Sequence, residues 1–188
     1  MKLNLGCGVN RKPGYVNVDR EAAASPDLVV DLERLPWPWP TDSVDAVVME
    51  HVLEHLGRDT DTYLGIFREL YRVCRDGAEI QIIVPHPRHD VFLNDPTHVR
   101  AVTRESLELF SLAKNNEWAA SGAANTQLAR FLGVDFEIVS AMQRPSEPWL
   151  SRYARGEIDT QALADAARHF NNVIEEITVV LRALKPAP

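Results

Sequence analysis

Residues 2–19 read KLNLGCGVNRKPGYVNVD, and this stretch decides the fold. Leu3 to Leu5 is a short apolar strand that stops at Gly6 and Gly8, while Tyr15 to Asp19 alternates apolar and polar residues before ending on an acid. A strand turning on glycine, followed by a second strand closed by a carboxylate, is how an open α/β sheet begins. In such sheets ligands bind outside the carboxyl ends of the strands. Lacking a Cβ, Gly6 and Gly8 let the chain bend sharply and let a ligand lie against the backbone.

The same pattern continues outward. Residues 27–33 (DLVVDLE) hold a third apolar run closed by Asp31, and Ala46 to Met49 is a buried strand that runs into EHVLEHL. From residue 61, Tyr63, Ile66, Phe67, Leu70, Tyr71 and Cys74 recur at helical spacing, with Gly77 placed to stop the helix. AEIQIIVP (78–85) is a fifth strand, DFEIVSAMQ (135–143) a sixth and EEITVVLRAL (175–184) a last one. Two helices are expected between them, one capped by Thr103 over 103–113 and one over 160–174. The linkers after the first and third strands are short for crossover helices and read as loops or single turns. Several strands are continuously apolar, which predicts a parallel sheet buried on both faces. Residues 85–104 form a long loop with three histidines, and 118–130 and 145–155 show no assignable period.

At 188 residues and 45% hydrophobic, the chain is expected to form one domain over 1–188, with 1–85 as a ligand-binding half and 86–188 as substrate-side loop, helices and closing strands. Twenty Lys and Arg against twenty-seven Asp and Glu leave a formal charge of −7, the wrong sign for general attraction to nucleic acid. Cys7 and Cys74 lack CxxC spacing and give no disulfide framework, which fits a reducing, cytoplasmic setting. No apolar run reaches the length of a signal peptide core or a membrane span.

Asp19 can accept hydrogen bonds from the vicinal hydroxyls of a ribose, and Asp31 with Leu32 can receive an adenine amino group and ring. With the glycine turn, these features converge on a nucleoside site. The dinucleotide pattern GxGxxG is absent, because Arg11 stands three residues after Gly8. That argues against a pyrophosphate on a helix N-terminus and against a nicotinamide-dependent oxidoreductase.

LNLGCGVNRKPGYVNVD, VVDLERLPWP, SVDAVVMEHVLEHL and ELYRVCRDGAEIQIIVP together resemble the class I S-adenosylmethionine-dependent methyltransferases, in particular the type 11 group. The resemblance implies a Rossmann-like, mostly parallel twisted sheet of about seven strands, with helices on both faces and the last strand antiparallel. It also implies S-adenosylmethionine as cofactor and S-adenosylhomocysteine as product. Carried over, the methionine part falls to Leu5, Gly6, Cys7 and Gly8, with Asn4 where the family often has an acid. Ribose falls to Asp19 with Arg20, adenine to Asp31 and Leu32, and the sulfonium to the neighbourhood of Glu50 and His51. Asn10 replaces the third glycine of the family loop.

His51 and His55, four apart, share a face of any helix, and His86, His89 and His98 lie in the long loop. His51 and His98 are the candidate catalytic residues, as bases for a hydroxyl or amine acceptor. No thiol or carboxylate pattern completes a metal site around these histidines, and none is assigned. NDPTHVRAVT resembles the family's acceptor-side loop, which makes His98 and Arg100 candidates for shaping the substrate pocket. Trp37 and Trp39 read first as loop anchors, and the acceptor as a small molecule or glycan precursor. A degenerate, non-catalytic S-adenosylmethionine-binding module is the competing reading. A homodimer through an exposed last strand or the 145–155 segment is a further expectation.

Overall fold

A seven-stranded sheet organises residues 1–186, the part of the chain described by the computed structural model. Its strands are β1 (Lys2–Leu5), β2 (Val16–Asp19), β3 (Leu28–Val29), β4 (Val44–Glu50), β5 (Cys74–Pro85), β6 (Phe136–Pro145) and β7 (Ile174–Ala183). They lie in the order β3-β2-β1-β4-β5-β7-β6, so the order reverses between β1 and β4. β1 to β5 pair in parallel, whereas β7 inserts antiparallel between β5 and β6. This is the expected Rossmann-like class with an antiparallel last strand. That strand is interior, however, so the expectation of an exposed last strand for dimer formation is wrong; the free edges are β3 and β6.

The main helix, α1 (Thr60–Val73), starts where the Asp59 carboxylate accepts the Thr62 N–H at 2.9 Å, and it buries Tyr63, Ile66, Phe67, Leu70 and Val73 as one stripe. It ends one residue before Cys74, which already belongs to β5. Cys74 pairs with Val44, and the next pair is Glu79 with Ala46, so the register slips across residues 75–78. Gly77, at φ +74°, therefore serves a bulge inside the strand rather than stopping the helix. The expected boundary was misplaced because Cys74 satisfies both the helical period and the strand that follows.

Burial alternates along β5 and β7, whereas β1 and β4 bury consecutive residues. In β5, Ala78, Ile80, Ile82 and Val84 are buried while Glu79, Gln81 and Ile83 are not, and β7 alternates in the same way. The buried face meets α1 and α3 (Arg104–Glu108), with Phe67 stacked on Phe110 at 3.9 Å between centroids and edge-on to Phe136. The expected burial on both faces is met at the centre of the sheet, where Asn17, Asn4 and Val48 are buried on the face opposite Leu3 and Leu5, and thins outward because the early connections are loops: Gly6 to Tyr15 has no helix, and 20–27 has a single turn at Ala22–Ala24. Trp37 and Trp39 are buried anchors, their rings 5.7 Å apart, with the Trp37 N–H donating to Glu69 at 2.6 Å.

The second half departs more from expectation. The expected helix over 103–113 breaks after α3, which carries a Thr103/Ser106 capping box, and a new helix, α4 (Leu112–Ser121), begins under a Ser111 cap. The segments without assignable period contain α5 (Leu128–Leu132) and α6 (Trp149–Ala154). One turn, α2 (Asp90–Leu93), interrupts the long loop, and α7 (Thr160–His169) stops short of residue 174. No helix among the described residues is long and apolar enough to cross a membrane.

Candidate functional site

The carboxyl ends of β1 to β5 carry the site. After β1, Gly6 and Gly8 adopt φ +66° and +48°, a left-handed backbone that other residues adopt only with strain. A Cβ on Gly6 would fall 2.3 Å from a Val52 methyl, whereas one on Gly8 would meet no atom within 4 Å. Two cavities adjoin this turn. The larger, about 710 Å³, is lined by Gly6, Gly8, Asp19, Arg20, Asp31, Leu32, His51 and His55, among others. The smaller, about 270 Å³, lies between the turn, Asn4, Glu50 and His51. A cradle of unsubstituted backbone between two cavities, with Asp19 and Asp31 along the larger and Glu50 on the smaller, fits a nucleoside carrying an amino-acid arm.

Asp19 ends β2 with each oxygen already accepting one backbone N–H: Gly8 at 2.7 Å and Glu21 at 2.9 Å. The carboxylate thus shapes the glycine turn, and each oxygen retains a lone pair for a hydroxyl. Asp31 accepts the Glu33 N–H at 3.0 Å and faces Arg34 at 3.3 Å. The Leu32 side chain is buried, and its carbonyl accepts the Trp37 indole N–H at 3.0 Å. Arg20 is largely exposed at the cavity mouth.

Asn4 lies on the face of the sheet opposite Leu3 and Leu5 and is itself buried. Its amide donates to the Asn10 carbonyl at 3.0 Å and to Asn17 at 2.9 Å, so only its carbonyl is left for a ligand. Glu50 pairs with Lys12 at 2.9 Å. The sequence reading missed Lys12, which carries no local signal, since its partner is 38 residues away. Leu5 is core, and the buried Cys7 thiol is pushed above its ordinary value first by burial and then by Asp19.

His51 follows the end of β4 at φ +54°, with its N–H held by the Ile83 carbonyl at 2.9 Å. Its imidazole lies between two carboxylates, with Nε2 3.1 Å from Glu176 and Nδ1 3.5 Å from Glu54. These hold its pKa above the ordinary imidazole value, with Glu54 the larger influence and burial opposing it. Glu176 arrives because β7 is antiparallel: its start, paired with Pro85, lies at the same sheet edge as the ends of the parallel strands. Nothing local in the sequence marks it.

The other histidines separate. His86 and His89 accept backbone N–H groups from Arg88 and Val91 and shape turns, and burial, the leading cause, lowers the His86 pKa. His55 lines the large cavity, while the His98 side chain is 7% exposed behind it, ring centroids 4.6 Å apart. Arg100 turns inward, over the Tyr63 ring at 4.1 Å and onto the Gly57 carbonyl at 2.7 Å.

Comparison with known proteins bears on the fold. Residues 4–82 match the family model described as a methyltransferase domain. Among solved structures, an S-adenosylmethionine-dependent methyltransferase from Archaeoglobus fulgidus superposes with TM-score 0.62 at 17% identity, over 96% of this chain and 85% of its own. One from Methanosarcina mazei gives 0.57 at 14%, over 98% and 92%. A phosphoethanolamine N-methyltransferase from Haemonchus contortus, in complex with S-adenosyl-L-methionine, gives 0.55 at 15%, over 99% of this chain and 48% of its own. No curated protein matches the sequence. The resemblance read from the sequence therefore holds: residues 4–82 match the methyltransferase domain, and nearly the whole chain has the class I S-adenosylmethionine-dependent methyltransferase fold.

Proposed function

We propose that this protein is an S-adenosylmethionine-dependent methyltransferase acting on a small-molecule or glycan-precursor acceptor. The observation that carries the reading is the pair of cavities meeting at Gly6, Gly8 and His51, with Asp19 and Asp31 along the larger one. A volume of about 710 Å³ lies in the range of small-molecule sites. Gly6 and Gly8 would cradle the methionine arm with Leu5, Cys7 and the Asn4 carbonyl. Asp19 and Arg20 would meet the ribose, Asp31 and Leu32 the adenine, and Glu50 with His51 the sulfonium end.

Bound S-adenosylmethionine supplies a methyl group on a sulfonium that is already activated for displacement. The chain's work is then positioning, because aligning donor and acceptor at near-contact distance supplies much of the acceleration. His51, where the two cavities meet and with Glu176 behind it, would take the acceptor's proton; His98 would act through His55 rather than on the acceptor.

Calorimetric titration with S-adenosylmethionine, S-adenosylhomocysteine and NAD tests the cofactor. Saturable 1:1 binding of both sulfur nucleosides and none of NAD is expected, and silence for both refutes the reading. Release of S-adenosylhomocysteine in an acceptor screen separates an enzyme from a binding module, a reading favoured by the uncharged Asn4. His51→Gln is expected to slow turnover at unchanged cofactor affinity.

A further inference from the structure

We infer that Glu54, His55 and His98 form a binding site for a divalent metal ion of the zinc class. One ligand atom from each lies within 4.8 Å of those of the other two. Glu54 and His55 belong to the single turn Leu53–His55 that follows β4, and His98 comes from the long loop. The same residue joins the two segments through its main chain: the Glu54 carbonyl accepts the Val99 and Arg100 N–H groups at 2.8 and 3.2 Å.

The carboxylate calls for a cation. Glu54 is 1% exposed, and neither of its oxygens has a hydrogen-bond partner. The His51 Nδ1, 3.5 Å from Oε1, is within ion-pair range but not hydrogen-bonded, and it leaves Oε2 unserved. A carboxylate buried with only the His51 imidazole near one of its oxygens is expensive, and a cation at the other oxygen would offset that cost.

The imidazoles are oriented as ligands. His98 Nδ1 lies 2.8 Å from the Phe92 carbonyl, which can only accept, so Nδ1 carries the proton and Nε2 the lone pair. His55 Nδ1 lies 2.9 Å from the Thr97 hydroxyl, whose own proton is donated to Asp95 at 2.6 Å. Thr97 must therefore accept from His55, and again Nε2 is left with its lone pair. Outer partners that fix the tautomer and free the other nitrogen are what metal-binding histidines have. Asp95 lies 3.7 Å from His98 Nε2, a further negative group around the same point.

Two imidazoles and one carboxylate suit zinc and its first-row neighbours, whereas magnesium and calcium favour all-oxygen shells. Three protein ligands leave a fourth position, and His55 lines the large cavity, so an oxygen from that cavity could occupy it. If the proposed methyl transfer holds, an acceptor hydroxyl bound there would lose its proton more readily. Metal binding itself does not depend on that reading.

The test uses tag-free, chelator-stripped protein titrated with Zn²⁺ alone, and with Co²⁺ for its visible spectrum. One ion per chain is expected, with an intense tetrahedral Co²⁺ absorption. His55→Gln, His98→Gln and Glu54→Gln should each weaken binding at least tenfold, while His86→Gln and His89→Gln leave it unchanged; circular dichroism monitors folding. Should the buried substitutions unfold the chain, the wild-type Co²⁺ spectrum and the partly buried, cavity-lining His55→Gln decide the matter. Absence of stoichiometric binding, full affinity in folded His55→Gln, or an equal loss in His89→Gln would overturn the site.

Discussion

Substituting the two turn glycines separately should separate folding from cofactor binding. At Gly6, alanine meets two penalties. A left-handed backbone costs an L-residue about 1–2 kcal/mol, and the new methyl would sit 2.3 and 2.8 Å from both methyls of Val52. Because Val52 is only 7% exposed and its Cβ lies 3.1 Å away as well, rotating its side chain cannot clear the overlap. Overpacking of this kind costs about 1–3 kcal/mol more. The total, about 2–5 kcal/mol, corresponds to a Tm lower by roughly 4–20 °C for a chain of this size. At Gly8 only the backbone penalty applies, so Gly8→Ala should lower Tm by about 2–8 °C. The Gly8 methyl nevertheless enters space beside both cavities, and S-adenosylmethionine affinity should fall at least tenfold, or about 1.4 kcal/mol. Scanning calorimetry and cofactor titration on both variants read the two effects. Wild-type affinity in Gly8→Ala, or equal thermal losses in the two, would refute the cradle argument.

Asp19→Asn keeps the side-chain size but removes the charge on a group that would meet the ribose and replaces one of the two oxygens that accept the Gly8 and Glu21 N–H groups with a donor; the Kd should rise roughly 10- to 100-fold, from about 1.5–3 kcal/mol for charged hydrogen bonds, and an unchanged value would remove Asp19 from the site. Glu69 accepts the Trp37 N–H and pairs with Arg72 at 2.7 Å, and the Arg72 hydrogen bonds, before that of Trp37, hold its pKa below the ordinary glutamate value. A depressed carboxylate stabilises fully above its unfolded value, near 4.3, and the contribution disappears as pH falls through the folded one. Glu69→Gln should therefore lower Tm at pH 7 by an amount that shrinks toward pH 3, and a pH-independent difference would contradict the assignment. Burial pushes the Cys74 thiol up to about 12 and raises that of Cys7, so neither should react readily with an aromatic disulfide reagent until denaturant is added. Rapid labelling of the native chain would disprove this.

Local chemistry made the early half legible. The glycine turn, the acid at each of the next two strand ends and the stripe from Tyr63 to Leu70 are short-range patterns, each readable within one element. Boundaries failed where two periods overlapped, as at Cys74, and where short helices such as α5 and α6 lack enough turns to show a period.

What the sequence by itself determined is the order of the strands and the edge of the sheet at which a nucleoside would bind, because backbone conformation and strand termini are set by neighbouring residues. Only the tertiary structure decided which side chains stand together there. Glu176 reaches His51 because β7 reverses direction, Lys12 reaches Glu50 across 38 residues, and Glu54, its side chain buried without a hydrogen-bonded partner, meets His98 because the long loop over 85–104 folds back and donates from Val99 and Arg100 to the Glu54 carbonyl. Such pairings are fixed by sheet order and burial, which depend on the whole chain.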